Sequence, residues 1–153
     1  MPKKIKEIMR EVKTITADKT FFDALEKMIK EKTNSLVVVD DNQKVVGLIN
    51  TGELIREVVP DYLEDDAIAA HFANDEIFIE DVKRAKEAPV TKFMIKDPVV
   101  IDYDDTLMQS AVLALSNRQM RLPVVDKEGR AVGLITRTEI KQVVGEILGI
   151  QSF

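Results

Sequence analysis

Cysteine is absent from this chain of 153 residues, and histidine occurs once, at His71. Without cysteine, a disulfide, a thiolate zinc site and a cysteine nucleophile are all excluded. One imidazole among acidic residues is typical of a solvated surface, because a metal site needs several converging ligands. The chain also lacks a Gly-x-Ser-x-Gly motif and a phosphate loop ending in Gly-Lys-Ser/Thr. We therefore predict neither a metal site nor a catalytic function.

Long apolar runs are missing as well. No stretch approaches the roughly 18 apolar residues of a membrane span, and the charged residues near Met1 argue against a signal peptide. Acidic side chains outnumber basic ones by 27 to 22, for a net charge of −5. This balance argues against binding to nucleic acid or to an anionic membrane surface. We expect a cytoplasmic protein with no nucleic-acid or membrane partner.

The chain does have an internal repeat, within a composition (45% hydrophobic, 32% charged) that is typical of a folded domain. Residues 20–58 and 106–144 match at a constant offset, as at Gly47 and Gly133, where 133 − 47 = 86. Such duplication implies two equivalent clefts, so we expect the function to lie between the copies. The closest matches are 36–40 with 122–126 and 46–53 with 132–139.

Each copy predicts a helix, two strands and a second helix. Thr20 and Thr106 can cap helices whose apolar residues recur at helical spacing. The apolar runs 36–39 and 122–125 predict buried strands, and the short turns that follow them predict hairpins. The other predicted elements are short strands at 13–16 and 99–102 and short helical leading segments at 5–9 and 90–94.

The segment 60–89 has no counterpart in the repeat. It is acidic yet rich in apolar residues, which argues against a disordered linker. We predict one or two helices, at about 61–72 and 77–87, that pack on the copies or on a partner. The predicted division is therefore a first repeat at 1–59, an acidic helical insert at 60–89 and a second repeat at 90–153.

The order of these motifs, each present twice, resembles the tandem CBS-domain pair, named after cystathionine β-synthase. The resemblance is carried by the leading segments, the Thr-capped helices, Leu-Pro-Val-Val-Asp at 122–126, and Val-Gly-Leu-Ile-Thr at 132–136 with its following acidic residue. It implies an α/β fold of two repeats, each a small three-stranded sheet with two helices, packed with pseudo-twofold symmetry. It also implies a non-catalytic regulator that binds AMP, ADP, ATP or S-adenosylmethionine between the repeats, forms a homodimer and controls an unknown protein.

The resemblance places the ligand where the second hairpin strand meets the last helix. A helix N-terminus presents unpaired N–H groups to phosphate, and Thr136 would contact phosphate or ribose while Glu139 accepts from the ribose. Arg121 and Arg137 are the expected phosphate ligands because a guanidinium pairs with two oxygens. We call the two predicted clefts the Thr136 site and the Asn50 site. The implied residues are Thr136, Glu139, Arg137 and Ile135 with Lys13, Thr14 and Ser35 for the first, and Asn50, Glu53, Val99, Val100, Met120, Arg121 and Pro123 for the second.

The same motif has a second interpretation. Thr-x-x-Glu at a helix start is a capping box, which stabilises by about 1 kcal/mol without any ligand. A structural dimerisation module with degenerate clefts is therefore the alternative. Asn50 stands where the family has a hydroxyl, and both glutamates stand where it usually has aspartate, so we expect the Thr136 site to bind better. The helix faces expected to form the homodimer surround Phe22, Ile55, Val58, Val143, Ile147 and Ile150.

Overall fold

Two small sheets, one for each copy of the repeat, form the framework of the computed structural model, which describes residues 4–59, 66–72, 74–116, 119 and 121–151. The first copy contains α1 (Ile5–Ile8), β1 (Thr14–Thr16), α2 (Phe21–Lys30), β2 (Ser35–Val39), β3 (Val45–Asn50) and α3 (Thr51–Val58). The helices α4 (Ala67–Phe72) and α5 (Asp75–Ala85) follow. The second copy contains α6 (Val90–Phe93), β4 (Ile95–Lys96), β5 (Ile101–Asp102), α7 (Leu107–Ser116), β6 (Arg121–Val125), β7 (Ala131–Thr136) and α8 (Arg137–Ile147).

The two hairpins repeat each other residue for residue. β2 pairs antiparallel with β3 and parallel with β1, and β6 pairs in the same way with β7 and β5. Leu36 lies opposite Ile49, and their counterparts Leu122 and Ile135 lie opposite each other in the second sheet. These strands are almost entirely buried, as their apolar sequence predicts. The predicted α/β fold of two repeats is confirmed.

The first sheet has four strands where three are predicted. β4 pairs antiparallel with β3, so that Leu48 lies opposite Ile95. In the other half of the molecule Arg10 makes the equivalent contact, an isolated bridge to Leu134. Sequence reasoning misses β4 because a strand of two residues pairs through its backbone and shows no hydrophobic alternation.

Each leading segment packs on the opposite copy. Ile5 of α1 is fully buried in the core of the second sheet, in the same cluster as Ile135. Val90 of α6 is fully buried in the core of the first sheet. There Phe93 meets Phe21 edge to face, with ring centroids 5.6 Å apart. The two copies are therefore interlocked and bury their apolar surface jointly.

Gly47 and Gly133 make room for this exchange. A Cβ on Gly47 would overlap the sulfur of Met94, and a Cβ on Gly133 would overlap the sulfur of Met9. Met9 and Met94 are the residues at which α1 and α6 end. Close packing against the exchanged segments therefore accounts for both glycines.

Two helices occupy the described part of the segment 60–89. The side-chain oxygen of Asn74 caps α5 by accepting a backbone hydrogen bond at 2.9 Å. Ala85 at the end of α5 is buried in the first core, whereas Ile68 of α4 is 74% exposed. Residues 60–65 lie outside the described residues, and the predicted domain boundaries stay predictions.

Two residues expected on the dimer face lie inside the fold. Val58 and Val143 are only 7% and 8% exposed, because they point toward the cores that their helices cover. Neither side chain is therefore available to a second chain, and the predicted dimer face stays a prediction. The residues of that set that are exposed, by 45% to 66%, are Phe22, Ile55, Ile147 and Ile150.

Candidate functional site

The Thr136 site forms where β7 ends and α8 begins. Thr136 Oγ1 accepts a hydrogen bond from the Thr138 N–H at 3.1 Å, and the Thr136 N–H donates to Glu139 Oε1 at 2.9 Å. The Thr136 hydroxyl also contacts the Glu139 carboxylate, at 3.1 Å and 3.2 Å. Glu139 is 4% exposed. The Thr-x-x-Glu motif thus acts as a helix cap in this structure.

Arg10 donates further hydrogen bonds to both oxygens of the Glu139 carboxylate. Its Nε donates to Oε1 at 3.0 Å and its Nη2 to Oε2 at 2.7 Å, the bidentate geometry in which a guanidinium binds a carboxylate most strongly. Sequence reasoning missed Arg10 because the two residues are 129 positions apart. The available signal was its position directly after a leading segment. Arg10 would therefore compete with a ribose for the Glu139 carboxylate.

The Asn50 site forms at the equivalent junction of β3 and α3. The Asn50 N–H donates to Glu53 Oε1 at 2.8 Å, and Glu53 Oε2 accepts from Arg56 Nη1 at 2.7 Å. Asn50 Nδ2 donates to the carbonyl of Gln119 at 2.9 Å. Asn50 Oδ1 is buried, and no donor among the residues that the structure describes reaches it. Such an oxygen costs about 1–3 kcal/mol until a donor reaches it.

A pocket of about 370 Å³ opens at this junction, within the size range of small-molecule sites. It combines the start of α3 with the carboxylate of Glu53 and the guanidinium of Arg121 from the other copy. Ile95 of β4 supplies an apolar wall. The lining residues are Asn34, Asn50, Thr51, Gly52, Glu53, Arg56, Ile95 and Arg121.

Arg121 links the two sites electrostatically. It lies opposite Thr136 in the pairing of β6 with β7 and lines the Asn50 pocket. Burial, and then the positive charge of Arg10, lower the pKa of the Arg121 guanidinium, while Glu53 and Glu139 act in the opposite direction. Arginine nevertheless stays charged. The pocket therefore holds a partly desolvated cation, which an anionic ligand would stabilise.

Gln119 joins the walls of the Asn50 site, and sequence reasoning missed it. Its side chain exchanges two hydrogen bonds with the backbone of Val99, both at 2.8 Å, and donates to the Arg121 carbonyl at 2.8 Å. The backbone carbonyl of Gln119 accepts a hydrogen bond from the Asn50 side chain. Val99, Arg121 and Asn50 are thus brought together as predicted for one cleft, through a residue that carries no motif. Glu53 completes this group in the pocket.

Three residues predicted for the Thr136 site have their partners in the first copy. Lys13 pairs with Glu11 at 3.0 Å. Thr14 lines a separate pocket of about 520 Å³ between β1 and α2. Ser35 is buried and lies opposite Asn50 in the pairing of β2 with β3. Their predicted role in completing the Thr136 site stays a prediction.

The remaining predicted residues are divided between core and surface. Ile135 and Pro123 are fully buried in the second sheet, whereas Val100 is 37% exposed. The guanidinium of Arg137 is exposed and reaches a backbone carbonyl of α7 at 3.5 Å. Met120 lies outside the described residues. The phosphate role of Arg137 stays a prediction.

Neither a metal cluster nor a membrane helix is found where the structure describes the chain. Among those residues, no three histidine, aspartate or glutamate side chains are grouped so that they could hold a metal ion. Within the same ranges, every helix is too short or too polar to cross a bilayer. The expected cytoplasmic location stays a prediction.

Comparison with known proteins also finds two copies of one domain in this chain. The CBS domain family model matches residues 5–60 and 90–146. The protein MJ1426 of Methanocaldococcus jannaschii is 29% identical over 148 residues, which cover 89% of this chain and 88% of that protein. The chloroplastic protein CBSX2 of Arabidopsis thaliana is 28% identical over 139 residues, and the match spans 82% of this chain but 55% of CBSX2.

Solved structures share the fold over almost the full length. The crystal structure of CBSX2 superposes with a TM-score of 0.78 at 21% identity, covering 99% of this chain and 100% of that one. The CBS domain pair of the protein MJ0100 gives a TM-score of 0.68 at 21% identity, covering 94% and 100%. Each matched segment contains one copy of the repeat together with its leading segment. The chain therefore belongs to the CBS domain family and is a tandem CBS-domain pair.

Proposed function

We propose that this chain is a non-catalytic regulatory module that binds an adenosine-type ligand between its two CBS domains. The observation that carries the proposal is the Asn50 pocket, which joins a helix start, the Glu53 carboxylate and the Arg121 guanidinium from opposite copies. The candidate ligands are AMP, ADP, ATP and S-adenosylmethionine. No additional cofactor is part of the proposal.

Each part of the pocket has a partner on such a ligand. Phosphate oxygens suit the positive start of α3 and the guanidinium of Arg121. A ribose supplies hydroxyl donors, which the Glu53 carboxylate and the unpartnered Asn50 Oδ1 can accept. Ile95 offers apolar surface to a base. Binding would thereby satisfy the buried Asn50 oxygen and neutralise the partly buried cation.

Complexes of relatives support this choice of ligand. CBSX2 has been crystallised with AMP, in a structure that matches this chain with a TM-score of 0.70 at 24% identity, covering 95% of this chain and 98% of that one. The MJ0100 domain pair has been crystallised with 5′-methylthioadenosine and S-adenosylmethionine. An adenosine group is common to all three ligands. We extend that group, and not one particular compound, to this chain.

Regulation would follow from a change in how the two copies or two chains contact each other. A ligand that bridges Glu53 and Arg121 contacts both copies, so its affinity depends on their relative position. A homodimer is part of the proposal, because the helix faces carry exposed apolar residues that a second chain can cover. These residues include Met108, Leu115 and Ile147, exposed by 73%, 81% and 66%.

A second candidate function is a structural dimerisation module whose clefts bind nothing. The Thr136 site favours it, because Glu139 already caps α8 and pairs with Arg10. Under this alternative Glu53 would likewise serve only as a cap. Both proposals predict a dimer, so ligand binding separates them.

Calorimetric titration of the purified chain with AMP, ADP, ATP and S-adenosylmethionine tests the proposal. We expect heat and a thermal shift with at least one of them. Glu53→Gln should weaken that binding, whereas Glu128→Gln, on a carboxylate that is 66% exposed in the opposite hairpin turn, should leave it unchanged. If millimolar concentrations of all four compounds produce no heat and no shift, the proposal fails and the structural module becomes the leading candidate.

A further inference from the structure

Arg10 and Ile95 occupy equivalent positions in the two halves of the molecule. Arg10 bridges to Leu134, and Ile95 pairs with Leu48, which is the residue 86 positions earlier in the repeat (134 − 48 = 86). The preceding residues, Met9 and Met94, likewise pack against equivalent glycines. The same structural position therefore carries a cation beside Glu139 and an apolar side chain beside Glu53.

Because this position carries Arg10 in one half and Ile95 in the other, the two carboxylates differ in how accessible they are to a ligand. The Arg10 guanidinium binds both oxygens of Glu139, at 3.0 Å and 2.7 Å. Ile95 cannot make such a contact, and it lines the open pocket beside Glu53 instead. Arg56 pairs with Glu53 from the same helix and also lines that pocket. Glu53 therefore borders an open pocket and accepts one bond from a guanidinium of its own helix, whereas Glu139 is bound at both oxygens by a guanidinium from outside its helix.

We propose that the Arg10–Glu139 ion pair blocks the Thr136 site, so that each chain binds one adenosine-type ligand, in the Asn50 site. The inference rests on the proposed function. It reverses the order of affinity expected from the motif residues alone, which favours the Thr136 site. Arg10 is thus a residue that determines which of the two clefts can be occupied.

The block is strong because of where its two partners lie. Glu139 is 4% exposed, so removing its cation leaves a buried carboxylate that needs other donors. Ribose hydroxyls are neutral, so they cannot replace the positive charge of the guanidinium, which also pairs with both carboxylate oxygens at once. Arg10 itself is 48% exposed, so a substitution at this position leaves a gap that opens to solvent.

The test counts binding sites by calorimetric titration with AMP. We expect wild-type protein to bind one equivalent per chain and Arg10→Ile, which copies the residue at position 95, to bind two. Arg84→Ile is the matched control, because Arg84 is an exposed arginine that pairs with Asp81 at 2.8 Å and lines a different pocket. It should keep one equivalent.

Glu53→Gln identifies the site that is occupied. In the wild-type background it should weaken binding of the single equivalent, and in the Arg10→Ile background it should weaken one of the two and leave the other unchanged. If Arg10→Ile fails to unfold cooperatively, Arg10→Lys replaces it, because lysine keeps the charge but cannot pair with two oxygens at once. A second equivalent should then appear with lower affinity.

Several results would overturn the inference while leaving the proposed function in place. These are two equivalents in wild-type protein, a single equivalent in both Arg10 variants, and a loss of AMP binding in Arg10→Ile, which would make Arg10 a ligand-binding residue. If none of the proteins binds AMP, ADP, ATP or S-adenosylmethionine, the inference and the proposed function both fail.

Discussion

Gly133→Ala tests whether the exchanged leading segment packs closely against the second sheet. A Cβ at this position would overlap Met9 Sδ and lie 2.7 Å from Met9 Cγ and 3.0 Å from Met9 Cβ. Because the Met9 Cβ and Cγ atoms lie close to the backbone, rotating the Met9 side chain cannot move them far from the new Cβ. The segment that carries Met9 must therefore shift, and Arg10 is the next residue in the chain.

The expected loss follows from overpacking, which costs about 1–3 kcal/mol in a well-packed core. For a chain of this size, 1 kcal/mol lowers Tm by about 2–4 °C. Gly47→Ala should cost less, because Met94 meets the new Cβ with its outer atoms, including Cε at 3.2 Å. Gly145→Ala is the control in α8, where the nearest atom is 3.8 Å away, and it should stabilise by about 0.5–1 kcal/mol.

Urea unfolding followed by far-ultraviolet circular dichroism measures these differences. In a Met9→Ala background the sulfur is gone, so Gly133→Ala should cost clearly less than in wild-type protein, and the double-mutant cycle isolates this coupling. The reasoning is refuted if Gly133→Ala unfolds at the wild-type urea concentration, or if its cost is the same with and without the Met9 side chain.

Two further predictions concern the second hairpin and the dimer. Desolvation raises the pKa of Asp126, but hydrogen bonds from the backbone and side chain of Arg130 outweigh it and leave this pKa below its usual value. The stabilisation is present above the unfolded-state pKa and is lost as pH falls through the folded-state pKa. Asp126→Asn should therefore destabilise at neutral pH and match wild-type protein in acid, and an equal loss at both pH values in urea titrations would contradict this. Ile147, 66% exposed, should lie in the dimer contact, so Ile147→Glu should sediment as a monomer and wild-type protein as a dimer; a monomeric wild-type protein contradicts the homodimer.

The repeated part of the fold could be predicted from the sequence because its signals are local. Buried branched strands such as 36–39 and 122–125, with a short turn after each, determine both hairpins. Thr20 and Thr136 cap their helices as the motifs predict. The fourth strand could not be predicted, because Ile95 pairs with Leu48 through two residues of backbone.

The polar half of the site was less predictable, because its contacts join distant parts of the chain. Glu139 and Asn50 stand at the predicted helix starts, yet their partners Arg10 and Gln119 lie outside every motif. The leading segments match at an offset of 85, one less than the repeat, so positions 10 and 95 align (95 − 10 = 85), but this alignment does not show that a guanidinium reaches across to the other copy. That contact depends on the exchange of the leading segments, which only the three-dimensional structure shows.

A crystal structure of the chain grown with AMP tests the central claim most directly. The account predicts one nucleotide per chain in the Asn50 pocket, with its phosphate near Arg121, its ribose near Glu53 and Asn50 Oδ1, and Arg10 still paired with Glu139. A crystal in which AMP occupies the Thr136 site, or lies on another surface of the protein, would contradict the account.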